Sequence, residues 1–223
     1  MPSLVGSEMC IRDRFDIAEK NGWIVDTSYY GGCPVADVEF IGFRSAWGAA
    51  DVERCREWSR DLAETVTEDD PDLVITAMAS RLQLVDDGTD RPQIDQMSHG
   101  LLDYWKRWND AGIKVLALAD PPFNAEVRSP DCVLHNADEP QSCARPRTEA
   151  HPADPMVVAG ASAGSESISV LDLTDRFCDA TSCYAVVGGI PVYYDADHLN
   201  LEYARLLGPD IEAAAEALLT QSR

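Results

Sequence analysis

Near its C-terminal end the chain reads Tyr193-Tyr194-Asp195-Ala196-Asp197-His198-Leu199-Asn200. Asp195 and His198 have the residue types and the spacing to do chemistry. A carboxylate three residues before an imidazole, on a short turn, reaches the ring, fixes its tautomer and stabilises its protonated form. Such a pair takes a proton from a hydroxyl that is about to attack and later returns it. Asp197 is the competing carboxylate. Side chains of adjacent residues diverge, so Asp197 is read as a cap for the helix that follows. The other histidines, His99, His135 and His151, lie at a polar helix start or in loops without an acidic partner at a telling spacing. They are read as solvated surface residues.

Strand-like runs alternating with helical patterns have to position this pair, and they predict an α/β fold: a parallel sheet in a three-layer α/β/α sandwich, flavodoxin-like. Trp23 to Tyr30 predicts a strand ended by Gly31-Gly32. Asp51 to Val66 predicts a helix with Val52, Cys55, Trp58 or Ser59, Leu62 and Val66 inward. A buried strand follows at Leu73 to Ala79, and Ile94, Met97, Leu101, Trp105 and Trp108 mark one helix face that stops before Gly112. Ile113 to Ala119 is the next strand. Residues 123–154 show no period and are rich in Pro, Asp and Cys, as a long functional or stapled loop is. Ala161 to Gly164 predicts a short helix and Ile168 to Leu173 the last core strand. Ala185 to Tyr194 predicts a hairpin turning at Gly188-Gly189, and two helices complete the chain.

Composition narrows the function. A chain of 223 residues with 45% hydrophobic content makes one domain with an ordinary core, and no apolar run approaches the roughly 20 residues of a membrane span. The charge of −21, from 39 acidic against 18 basic residues, repels nucleic acid and anionic lipid. Seven cysteines without a Cys-x-x-Cys pair argue against a structural zinc site. Setting Cys10 aside, six cysteines allow fifteen pairings. The sequence-local one (Cys33 with Cys55, Cys132 with Cys143, Cys178 with Cys183) is the expectation, and it implies an oxidising compartment. Asp69-Asp70, Asp86-Asp87 and Asp90 lack the spacing and glycine of a calcium loop and are read as a solvated acidic face. Trp105 and Trp108 are read as core. No metal and no cofactor are expected.

In their order, several pieces resemble the SGNH hydrolase superfamily, and more closely the extracytoplasmic SGNH domain attached to bacterial acyltransferase-3 membrane proteins. They are Asn21-Gly22-Trp23 before the second strand, Cys33-Pro34 after it, Cys132 and Cys143 in the long loop, and the Cys178/Cys183 hairpin leading into Asp195-x-x-His198. The resemblance runs from about Phe15 to the C-terminus. It implies a Ser-His-Asp mechanism in which His198 is the base and Asp195 orients it. Oxyanion donors in such proteins include a glycine and an asparagine in a Gly-x-Asn-Asp block. Gly31 and Gly32 stand where the glycine is expected. Where the asparagine belongs the chain reads Ala77-Met78-Ala79-Ser80-Arg81, so Ser80 is the substitute candidate and Arg81 a candidate substrate contact. The implied partners are an acyl donor, a glycan acceptor and an upstream acyltransferase membrane domain, on the periplasmic or extracellular face. A stand-alone secreted esterase and a non-catalytic glycan-binding module are the alternatives.

Residues 1–14 read as foreign to this pattern and resemble a translated sequencing adapter, so the single domain is expected over 15–223. In the family a Gly-Asp-Ser-His block heads the helix after the first strand, and its serine falls near Val5 in this chain. Ser7 is preceded by Gly6 and followed by Glu8, and is not expected to be the nucleophile. The nucleophile is then unknown. The sheet is expected to lack its first strand, leaving an unpaired edge that favours aggregation.

Overall fold

The structure, a computed structural model, describes residues 2–5, 17–42, 47–81, 83–86 and 88–220. Five parallel strands form the central sheet: β1 (Pro2–Val5), β2 (Asp26–Ser28), β3 (Leu73–Ala77), β4 (Lys114–Leu118) and β6 (Ile168–Leu171), in the order β2-β1-β3-β4-β6. The expected loss of a first strand is corrected here. Pro2–Val5 pairs with β2 on one side and β3 on the other, with Val5 opposite both Ser28 and Thr76. No side of β3 is left open, because the parallel ladder with β4 continues through Ala77 opposite Leu118.

The central strands β3 and β4 are buried on both faces, as a sheet covered by helices on each side requires. Val74, Val115, Ala117 and Ile168 face one helical layer: α2 (Ala49–Asp69), α3 (Gln93–Asp110) and α6 (Pro155–Ser162). Leu73, Ile75, Leu116 and Leu118 face the other way, against Ala215 and Leu218 of α8 (Leu201–Leu219). A helical segment over residues 17–21, α1, lies beside α8, held by Lys20 and Asn21 on Glu212. It stops where the sequence predicts: Gly22 takes φ 66°, and Trp23 N–H closes on Ala18 O at 2.8 Å. On α2 the buried face is Cys55, Ser59, Leu62, Ala63 and Val66, and on α3 it includes Met97, Leu101, Trp105 and Trp108. Gly100 of α3 meets the backbone of the 35–38 loop. A Cβ there would lie 2.6 Å from Asp37 O, so only glycine allows the bond from Asp37 N–H to Gly100 O.

Two helix boundaries differ from expectation. The helix expected at Ala161 starts six residues earlier at Pro155, where Asp154 accepts from Met156 N–H and proline occupies the first turn. The two expected terminal helices are one, α8, which runs through Pro209. The missing N–H of Pro209 costs one bond, but Leu207, Ala215 and Leu218 are buried on both sides of it, and that burial keeps the helix continuous.

Candidate active site

Every strand of the sheet points the same way, so the loops after β1, β2, β3, β4 and β6 gather at one edge. The chain leaves β1 to one side for β2 and to the other for β3, and ligands bind at such a reversal, outside the carboxyl ends of the strands. A lobe of short elements covers this edge. It comprises α4 (Pro130–His135), a 3-10 turn (Pro140–Cys143), β5 (Arg145–Pro146), α5 (Arg147–Ala150), α7 (Thr174–Phe177), β7 (Ser182–Cys183) and the hairpin β8 (Val186–Val187) and β9 (Ile190–Pro191). The hairpin turns at Gly188 and Gly189, with φ of 59° and 83°, conformations that favour glycine. All three sequence-local disulfides are formed: Cys33–Cys55, Cys132–Cys143 and Cys178–Cys183.

From β9 the chain enters a closed loop that carries the pair. Tyr194 N–H donates to His198 O at 2.9 Å, and Asn200 N–H donates to Val192 O at 2.8 Å. Within the loop, Asp195 Oδ1 accepts the backbone N–H groups of Asp197 and His198, each at 2.8 Å. Both Asp195 carboxylate oxygens lie 2.9 Å from His198 Nδ1. This directs the Nδ1 proton at Asp195 and leaves Nε2 as the basic nitrogen. Burial pushes the Asp195 carboxyl up, but the hydrogen bonds from the His198 ring and the two backbone amides outweigh it and hold it below its ordinary value. The side chains remain 43% and 31% exposed, so the pair adds little to stability and stands open to a ligand.

Asp197 does not cap α8. Asn200 does, accepting from Glu202 N–H at 2.8 Å, while Asp197 pairs with Arg81. Arg81 also donates to Ala196 O at 3.2 Å, so the arginine after β3 grips the loop between Asp195 and His198. Ser80 has both of its donors, N–H and Oγ–H, on Asp120 Oδ2 at 3.1 Å, and in that arrangement it offers no hydroxyl proton to an oxyanion. Gly32 lies in the turn after β2 with φ 76°, where Cys33 N–H closes on Tyr30 O. Gly31 sits against the Tyr29 hydroxyl. Ser7 lies outside the described residues.

His151 is not a surface histidine. It is half-buried, its Nε2 is 2.9 Å from Thr174 Oγ1, and Thr174 in turn bonds Asp172. Burial lowers its pKa. His99 and His135 are exposed, as expected, and among the described residues no cluster of His, Cys, Asp and Glu is placed to hold a metal ion. Sequence reading missed Asp120 and Arg128, a pair at 3.1 Å with side chains only 9% and 6% exposed. Asp120-Pro121-Pro122 at a strand end was the available signal; a polar residue between a buried strand and two prolines has few places to go but the site.

A doubly wound parallel sheet with an Asp-x-x-His loop at its carboxyl edge defines a hydrolase-like α/β domain. The family model of the SGNH domain fused to AT3 domains matches residues 15–213, and the chain belongs to that family. No curated protein matches it. Among solved structures, the periplasmic domain of the Salmonella ser. Paratyphi A lipopolysaccharide acetyltransferase superposes with a TM-score of 0.60 at 14% identity, over 96% of this chain and 83% of that one. A putative acylhydrolase from Bacteroides fragilis gives 0.55 at 16% identity, over 98% and 87%. An acetyl xylan esterase gives 0.51 at 13% identity, over 96% and 99%. At these identities the likeness is one of fold.

Proposed function

We propose that this chain is the SGNH domain of a membrane-bound O-acyltransferase, moving an acyl group, acetyl in the first instance, to a hydroxyl of a cell-surface or secreted glycan. The observation that carries the proposal is the contact between Asp195 and His198 Nδ1, in a loop closed by its own backbone bonds. Membership of a family fused to AT3 membrane domains supports a membrane partner. The disulfides support an extracytoplasmic site.

In the reaction His198 Nε2 takes the proton of a serine hydroxyl as its oxygen bonds the acyl carbonyl carbon. The donor's leaving group departs with that proton, giving an acyl-serine. His198 next deprotonates the acceptor hydroxyl, whose oxygen takes the acyl group, and returns the proton to the serine. Asp195 holds the ring and offsets the charge of the imidazolium in both steps. Backbone donors beside Gly32 are assigned to the oxyanion. With water as acceptor the same steps make an esterase, the reading favoured by the acylhydrolase and esterase neighbours.

The nucleophile is the open element. The family match leaves residues 1–14 outside it while Pro2–Val5 fills the first strand's place, so only the stretch after Val5, where the nucleophile block belongs, is read as foreign and this chain as catalytically silent. Sequencing the source gene across these codons tests this. A Gly-Asp-Ser-His block joined to Phe15 with membrane spans upstream is the expected result, and a secretion signal instead would make the protein an esterase. Finding Met1 to Arg14 encoded as they stand would favour a non-catalytic glycan-binding module and overturn the proposal.

A further inference from the structure

Behind the exposed Asp195–His198 loop lies a buried polar assembly that the reaction itself does not use. Asp120, two residues beyond the end of β4, is its centre. One carboxylate oxygen accepts from Ser80 N–H and Ser80 Oγ–H, both at 3.1 Å, and the other accepts from Arg128 at 3.1 Å. Its own N–H donates to Asp154 Oδ2 at 2.7 Å. Two arms run from this centre to the catalytic loop. In the first, Ser80 hands on to Arg81, which grips Ala196 O and Asp197. In the second, Arg128 donates to Pro121 O at 2.6 Å and Pro122 O at 2.9 Å, and Pro122 O also accepts from the Tyr193 hydroxyl at 2.8 Å. Tyr193 and Arg81 thus hold the loop from its entry and from its middle, and both depend on one carboxylate.

We propose that Asp120 is a positioning residue for the Asp195–His198 pair, fixing through Ser80–Arg81 and through Arg128–Pro122–Tyr193 the place of the loop that aims His198. This deepens the functional reading above and rests on it. Such an arrangement is useful because the pair is part-exposed on a short loop with little apolar burial of its own. A hydrogen-bonded pair that open does not hold its own geometry, whereas a buried, fully bonded carboxylate does. Three donors converge on Asp120, and an amide in its place has only one oxygen for them. Its NH2 would face a donor, so Asp120→Asn breaks one arm while keeping the volume.

The test reads His198 directly and needs no substrate. In nuclear magnetic resonance of the whole chain, the His198 Nδ1–H proton held on Asp195 gives a low-field signal, assigned by its absence in His198→Ala. In Asp120→Asn this signal is expected to shift and to exchange with solvent faster, while the indole signal of Trp108 in the sheet body stays in place. Arg81→Ala, a substitution at a partly exposed side chain, cuts only the first arm and is expected to speed solvent exchange of the same proton; it serves if Asp120→Asn does not fold. A His198 signal unchanged in position and exchange rate in the folded Asp120→Asn variant overturns the proposal. If that variant does not fold, an unchanged signal in Arg81→Ala overturns it. Absence of hydrolytic activity in any version leaves this signal untouched and bears only on the catalytic reading.

Discussion

The sheet body and the lobe that covers its edge are held together by different physics. In the body, strands of four or five residues at β3, β4 and β6 are sandwiched by helices of up to 21 residues, and large side chains such as Trp105, Trp108 and Leu116 are fully buried. Its stability is apolar area removed from water, about 25 cal/mol per Å2. In the lobe, α4 has six residues, α5 and α7 four each, and β5, β7, β8 and β9 two each. There a smaller apolar cluster around Phe177, Val192, Tyr193 and Tyr203 is joined by two of the three disulfides and many side-chain bonds to backbone. Arg145 bonds the carbonyls of Ala125, Ser142 and Ala144, and Asp179 Oδ1 accepts the N–H groups of Thr181 and Ser182. The lesson is a division of labour. The body draws its free energy mainly from wide apolar burial, and the lobe, with a smaller core, adds the cross-links and polar bonds that place its short elements.

Substitutions should separate the two. Trp108→Ala, in the body, empties a fully buried site and strips Ala63 O of the indole donor at 3.0 Å. It is expected to cost about 3–5 kcal/mol, read from the urea midpoint. A loss under roughly 1 kcal/mol would break the contrast.

Asp154 joins body to lobe, and burial pushes its carboxyl up from 3.8 to about 6. The folded state therefore binds a proton more tightly than the unfolded chain, so this group's contribution to stability falls as pH rises from about 4 to about 6 and is level outside that window. The size is about 3 kcal/mol, at 1.36 kcal/mol per pH unit. Asp154→Asn should remove that slope from the difference between variant and parent, and denaturation at several pH values between 4 and 7 checks it.

In the lobe, Cys178→Ser with Cys183→Ser opens a short loop whose closure is worth about 2 kcal/mol. Here the change should be local: hydrogen exchange should quicken through residues 178–200 and remain slow in β3 and β4. Equal quickening in both places would show that the lobe is not a separate unit. The smallest effect is expected for Asn200→Ala, which removes the cap that follows the catalytic loop and costs about 1 kcal/mol in thermal melting.

The same contrast sets how much was legible in the sequence. Period 3.6 in α2 and α3 and the short apolar runs of β3 and β4 report burial in the body, so these elements are found within a few residues of where Cys55, Trp105, Val74 and Val115 place them. The Asp195–His198 contact was legible because both members lie on one short turn, and the disulfide pairs because they are local. The contacts that seat the pair are not local. Arg81 reaches Asp197 across 116 residues and Ser80 reaches Asp120 across 40, distances over which spacing carries no information. Reading Asp197 as a helix cap and His151 as a surface residue failed for this reason. The single helix α8 was missed because Gly208-Pro209 breaks a local pattern that packing against the sheet restores. The strand Pro2–Val5 was missed because residues 1–14 read as foreign to the pattern; the neighbours that give it a place, β2 and β3, are remote in sequence.

The central claim of the proposal is that Asp195 and His198 act as an acid–base pair once a serine stands beside them. Writing the family's block directly after β1, by Ser7→Asp, Glu8→Ser and Met9→His behind the existing Gly6, tests it by gain of function. Hydrolysis of p-nitrophenyl acetate is the readout, with the fold checked by circular dichroism. The unaltered chain should show only background hydrolysis. The altered chain should gain turnover that His198→Ala lowers about a thousandfold or to background. A folded altered chain without turnover, or turnover that survives His198→Ala, would contradict the assignment.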